Sequence, residues 1–124
     1  MSIHPTLRYA DAAGALEFLT TALGFRLGHV TRDDDGVVRH AELFSGSPPG
    51  VLMVGTRDGG SWDTGRAVTY VVVEDADAHH ATAVAAGARV VAELTDQPYG
   101  SREYAVEDPE GNVWSIGTYR PDPR

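Results

Sequence analysis

His40 and Glu42 stand two apart in an alternating stretch, so on a strand both side chains project from one face. Joined by His4, they would form the two-histidine, one-carboxylate set that binds non-haem iron. Nothing in the sequence places that stretch beside His4, and the competing reading is a polar strand face that is solvated or lines a ligand. His79 and His80 are adjacent near the start of an Ala-rich helix, so they face different directions and read as exposed residues. The glycine-bearing stretches 46–50 and 55–60 lack the Lys-Ser/Thr of a phosphate loop and lead into strand or coil instead of a helix. No serine stands in a Gly-x-Ser-x-Gly elbow. The absence of cysteine removes disulfides, thiolate zinc sites and Cys nucleophiles together. Carboxylates are plentiful, but nothing pairs any of them across a cleft. The chain shows no legible catalytic apparatus.

Groups suited to recognition are better represented. Trp62 lies in a Gly-rich polar stretch with little local core to join, which suits ligand stacking or a contact between chains as well as incidental packing. Tyr99, within Pro-Tyr-Gly, reads the same way with the pocket favoured. Arg102 and Glu103 are neighbours on a strand and cannot both face one cavity, so they read as a rim or interface ion pair. Glu42 and the acidic run 33–35 would favour a basic ligand, although the run also suits an exposed hairpin tip. With 18 acidic against 10 basic residues, the formal charge is −8. Such a surface repels phosphate backbones and anionic lipid, so neither nucleic acid nor membrane is an expected partner. A cationic or neutral small molecule is.

These side chains need elements to hold them. At 124 residues and 42% hydrophobic content, the chain suits a single globular domain. No apolar run approaches the length of a membrane-spanning helix. The N-terminus lacks the basic and apolar regions of a signal peptide. With the missing cysteines, this predicts a cytoplasmic protein. A strand over 3–9 precedes a helix over 12–23, capped by Asp11 and closed by Gly24. Strands follow over 25–32, 37–44 and 51–56, with turns at 33–36 and 47–50. After the loop the order restarts: strand 67–73, helix 76–86 between Asp75 and Gly87, strand 89–93, loop 95–101, strand 102–106, turn 108–111 and strand 112–119. The tail 120–124 is expected to fray. Residues 1–57 and 67–119 are thus two repeats within one domain, joined by the Gly-rich loop 58–66. Tyr9-Ala10-Asp11 matches Val73-Glu74-Asp75, and Leu23-Gly24-Phe25 matches Ala86-Gly87-Ala88 with a single-residue gap between them. Trp114 has the opposite parity to the positions facing a cavity, which predicts core packing beneath a helix.

The opening His4-Pro-Thr-Leu-Arg-Tyr-Ala-Asp11 and the closing Tyr99-Gly100-Ser101-Arg102-Glu103-Tyr104 with Asp108-Pro109-Glu110-Gly111-Asn112-Val113-Trp114 resemble the two signatures of the vicinal oxygen chelate superfamily, which includes glyoxalase I, extradiol dioxygenases and bleomycin-resistance proteins. The resemblance implies an α+β fold of two tandem β-α-β-β-β units forming a concave, half-open mixed sheet with helices outside. In the metal-dependent enzymes of that superfamily, four side chains on the first and fourth strands of each unit chelate a divalent cation. Carried over by register, these fall on His4, Met53, Val68 and Ser115. The imidazole suits a metal; a thioether, an isopropyl group and a neutral hydroxyl do not.

The resemblance therefore points to the bleomycin-resistance-like branch. It implies a homodimeric small-molecule binding protein that uses no metal or other cofactor and sequesters an antibiotic or another aromatic compound. Inward parity nominates Thr6, Arg8, Met53, Val68, Tyr70 and Ser115 as the lining, with Trp62 and Tyr99 added from loops. The alternative is a lyase, isomerase or dioxygenase-type enzyme with a non-standard metal site at His4, His40 and Glu42. A purely structural module, its pocket filled by its own side chains, is a third possibility.

Overall fold

Two aspartates open the two helices in the same way. In the computed structural model, which describes residues 1–46 and 49–123, α1 (Ala12–Thr21) begins where the Asp11 carboxylate accepts from the Gly14 N–H at 2.9 Å. The second helix, α2 (Ala76–Ala85), begins where Asp75 accepts from Ala78 N–H at 3.0 Å. Each bond satisfies a donor that a helix start leaves without an internal partner. Asp75→Ala is expected to cost about 1 kcal/mol in urea denaturation, and Asp75→Asn only a few tenths, because an amide oxygen caps nearly as well. An alanine variant as stable as the parent would show that this cap contributes nothing.

The helices stop slightly earlier than their apolar spacing predicts. Ala22 is the C-cap of α1, and Gly24 lies beyond it at φ +79°. Gly87 directly follows the Ala86 cap of α2 at φ +86°. Both glycines occupy the left-handed region, where a side chain would clash with the backbone. α1 buries Ala12, Ala15, Leu16 and Leu19, the stripe expected from their spacing.

The chain divides into two compact units, Met1–Ala67 and Val68–Arg124. The first holds β1 (Thr6–Tyr9), β2 (Arg26–Arg32), β3 (Val38–Ser45) and β4 (Gly50–Thr56) in the order β1-β4-β3-β2. The second holds β5 (Val68–Val72), β6 (Arg89–Asp96), β7 (Arg102–Glu107) and β8 (Val113–Gly117) in the equivalent order β5-β8-β7-β6. In each unit the first strand pairs parallel with the fourth, and the remaining pairs are antiparallel. Thr6 stands opposite Met53, and Tyr70 opposite Ser115 at the equivalent place in the second unit. The expected α+β fold of two β-α-β-β-β repeats is present.

Some boundaries differ from the sequence expectation, for physical reasons. β1 starts at Thr6 because Pro5 has no N–H to donate, although its carbonyl still accepts from Met53 N–H at 2.9 Å. β6 continues to Asp96, through the start of the expected loop 95–101. Register shifts between Val90 and Ala92 and between Ala92 and Thr95 interrupt the alternation that would have marked it as strand. Of the turn expected at 47–50, Ser47 and Pro48 lie outside the described residues.

One face of each sheet is covered by its own helix. In the first unit Tyr9, Val38, Ala41, Leu43, Leu52 and Val54 are buried. In the second, Val71, Tyr104, Val106, Trp114 and Ile116 are buried. Trp114 is fully enclosed, as its parity requires, and its indole N–H donates to Asp108 Oδ2 at 3.1 Å. The same carboxylate accepts from the backbone N–H groups of Glu110 and Asn112, each at 3.0 Å, and from Asn112 Nδ2 at 3.1 Å. The turn before β8 is thereby tied to the core. Tyr104 hydrogen-bonds His79 Nδ1 at 2.6 Å, and burial pushes its phenol up to about 12.

Candidate functional site

The face of the second sheet opposite α2 carries the site. Strand pairing sets Tyr70 opposite Ser115 and Glu103 opposite Gly117, and alternation turns all of them away from the core residues Trp114, Ile116 and Tyr104. Tyr70, Tyr99, Glu103, Ser115, Tyr119 and Pro121 line a concavity of about 530 Å³. The Glu103 carboxylate is held in place at both oxygens. Tyr99 donates its hydroxyl to Oε1 at 2.7 Å, and Ser101 donates to Oε2 at 2.9 Å. Ser101 is itself buried and accepts from Tyr119 N–H at 3.0 Å, while Tyr70 donates to the Tyr119 carbonyl at 2.8 Å. The rings of Tyr99 and Tyr119 meet edge to face, 5.8 Å apart at 82°.

Both phenols are held above the ordinary range of a tyrosine. The Tyr99 phenol is pushed up chiefly by its hydrogen bond to Glu103. The Tyr70 phenol is pushed up chiefly by desolvation, with the charge of Glu103 adding to it. Gly117 is what allows this crowding: a Cβ there would stand 2.5 Å from Glu103 Cγ and 2.8 Å from the Tyr70 hydroxyl. Aromatic walls with a carboxylate and hydroxyls at fixed points form a recognition surface.

The first unit places its candidates differently. Thr6, Met53 and Glu42 form one row across three strands. Arg8 ties the end of β4 to the loop that follows it. It donates to the Thr56 carbonyl from Nε at 3.1 Å and from a terminal nitrogen at 2.7 Å, and it pairs with Asp58 at 3.3 Å. Asp63 Oδ2 accepts from the N–H groups of Asp58 and Gly59 at 3.0 and 2.6 Å, and Arg57 donates to the carbonyls of Asp63 and Thr64. The Gly-rich connection is therefore an internally bonded loop, and it presents Trp62 with 71% of its surface exposed.

The alternative metal set does not assemble. His4 precedes β1, and β4 lies between β1 and β3, the strand that carries His40 and Glu42. His40 Nε2 instead meets Glu42 Oε2 at 2.9 Å, and this contact, with smaller contributions from His29 and His4, holds the Glu42 carboxyl below its usual range. His4 Nε2 contacts the Ser2 hydroxyl at 2.8 Å. Among the described residues, no group of three His, Cys, Asp or Glu side chains is arranged to hold a metal ion. The four positions that the superfamily resemblance assigns to a chelate do not fit one either, since Met53, Val68 and Ser115 offer no ligand for a hard divalent cation.

Of the predicted lining, the structure brings Tyr70, Tyr99 and Ser115 together. Val68 shares their sheet face but sits at the start of β5, 75% exposed and outside the concavity. Glu103, Tyr119 and Pro121 were not anticipated. The sequence reads Arg102 and Glu103 as a rim or interface ion pair, but Arg102 turns to the other face and binds Asp77 through two nitrogens, at 2.9 and 3.0 Å, and Asp96 at 3.1 Å. Counting back by twos from Ala105, which pairs with Ser115, would have placed Glu103 on the cavity face.

Known proteins agree with this architecture. A family model described as the Glyoxalase/Bleomycin resistance protein/Dioxygenase superfamily matches residues 2–116. An uncharacterized protein of Mycobacterium bovis is 33% identical over 94% of this chain and 82% of its own length. TioX from Micromonospora sp. ML1 superposes with a TM-score of 0.78 at 30% identity, covering 97% of this chain and 99% of that one. A superfamily member from Sphaerobacter thermophilus shares the fold at a TM-score of 0.76 and 19% identity, covering 94% of this chain and 96% of that one.

Proposed function

Because this chain belongs to the glyoxalase/bleomycin resistance protein/dioxygenase superfamily, we propose that it binds a planar aromatic small molecule in the tyrosine-lined concavity of its second unit, without a metal ion. One observation carries the reading. At Ser115, where the resemblance expects a metal ligand, a neutral hydroxyl stands among Tyr70, Tyr99 and Tyr119. A site with that lining captures a ring by stacking and edge contacts, and has no Lewis acid with which to polarise it. Stoichiometric capture, as in drug sequestration, follows from such a surface more directly than turnover does. The expected setting is a cytoplasmic homodimer.

The test uses protein purified without a polyhistidine tag. Elemental analysis is expected to find less than about a tenth of an equivalent of transition metal. Titration with acridine, a planar tricycle, is expected to show saturable binding that a chelator leaves unchanged. Sedimentation of the same samples reports whether the binding unit is a dimer. Stoichiometric metal, or acridine binding that appears only after Ni, Mn, Zn or Fe is added, would overturn the metal-independent reading.

A further inference from the structure

We propose that Glu103 makes this concavity selective for planar aromatic cations that carry N–H groups. The inference rests on the reading of the concavity as a binding site and deepens it by assigning the charge of the ligand.

The argument begins with the acceptor capacity of Glu103. An ionised carboxylate offers about four lone-pair sites. Tyr99 and Ser101 each fill one, at 2.7 and 2.9 Å on opposite oxygens. The carboxylate is thus fixed in orientation and still has room to accept from a ligand. No protein cation neutralises it: among the described residues the neighbouring guanidinium, Arg102, is committed to Asp77 and Asp96.

A ligand seated on this floor strips water from the carboxylate. A neutral ring gives nothing back, so binding carries an uncompensated desolvation cost. A protonated heterocycle or amidine returns both a charge and directed donors. The walls act in the same direction, because wherever the ligand meets the ring face of Tyr70, Tyr99 or Tyr119 a cation is attracted to it. The formal charge of −8 favours the approach of cations at long range. Hydroxyl donors from Tyr70 and Tyr99 would welcome an anion only if they were not already committed. Tyr70 is bonded to the Tyr119 carbonyl and Tyr99 to Glu103.

Three probes of matched shape separate the terms. Acridine is neutral in mildly alkaline buffer, N-methylacridinium is cationic without an N–H, and protonated aminoacridine is cationic with N–H donors. Fluorescence titration of the whole chain is expected to give aminoacridine about tenfold tighter binding than acridine, with N-methylacridinium between them. Glu103→Gln keeps the size and one acceptor oxygen. It is expected to weaken aminoacridine about tenfold while moving acridine less than about twofold. In the parent protein, added salt should weaken aminoacridine and leave acridine unchanged, a readout that does not depend on any variant folding.

Equal affinity for acridine and aminoacridine, or an equal loss of both in Glu103→Gln, would overturn the charge selectivity and leave the binding reading standing. Binding by none of the three probes would overturn both.

Discussion

Trp114→Ala is expected to destabilise the fold by about 3–5 kcal/mol, a large share of the roughly 5–15 kcal/mol that holds a domain folded. The indole is fully enclosed on β8, so truncation leaves a cavity that a regular strand cannot collapse to fill. It also removes a donor from Asp108, whose carboxylate anchors the turn from Asp108 to Asn112. Trp114→Phe separates the two effects. It keeps an aromatic ring but loses the N–H, and is expected to cost about 1–3 kcal/mol. Urea denaturation followed by far-ultraviolet circular dichroism measures both variants. An alanine variant within about 1 kcal/mol of the parent would mean that the indole is not a pillar of the second unit.

Trp114 was also one of the more legible residues. Strand alternation alone assigned it to the core, because parity is a local property that long-range pairing can only confirm. The same holds for the caps Asp11 and Asp75, which act within three residues of themselves. It holds too for Tyr70 and Ser115, whose shared face follows once both strands are recognised.

What stayed hidden depended on contacts between distant segments. No pattern in β1 or β3 announces that β4 will lie between them, and His40 meets Glu42 alone where the sequence left room for His4 to join them. Arg8 keeps the face that its parity gives it, lying over Gly55, but its guanidinium is long enough to reach the Thr56 carbonyl and Asp58, a partner that no local pattern announces. Arg102 likewise finds Asp77 on α2 instead of its neighbour. Glu103, released from that pairing, becomes the one carboxylate of the site. The bulges in β6 concealed two-residue alternation where Ala92 and Thr95 come to share a face with Ala105 and Glu103.

Gly117→Val is expected to abolish measurable aminoacridine binding while leaving the protein folded. Gly117 is buried on β8 and does not use the left-handed region, so a β-branched residue suits its backbone. The conflict is with its neighbours across the strand. Even a single Cβ would lie 2.5 Å from Glu103 Cγ, 2.8 Å from the Tyr70 hydroxyl and 3.0 Å from Glu103 Oε2. These belong to side chains that can swing away, so the cost in stability should stay within the roughly 1–3 kcal/mol of an overpacked site. Swinging away, however, breaks the contacts of Tyr99 and Ser101 with the carboxylate and pushes Glu103 and Tyr70, two of the residues that line the concavity, out of place. Gly117→Ala should show a graded form of the same effect, losing about tenfold in affinity. Denaturation midpoints and probe titrations on the same preparations separate stability from binding. A valine variant that binds aminoacridine as the parent does would place the ligand elsewhere on the chain, and with it the roles assigned to Glu103 and Tyr70.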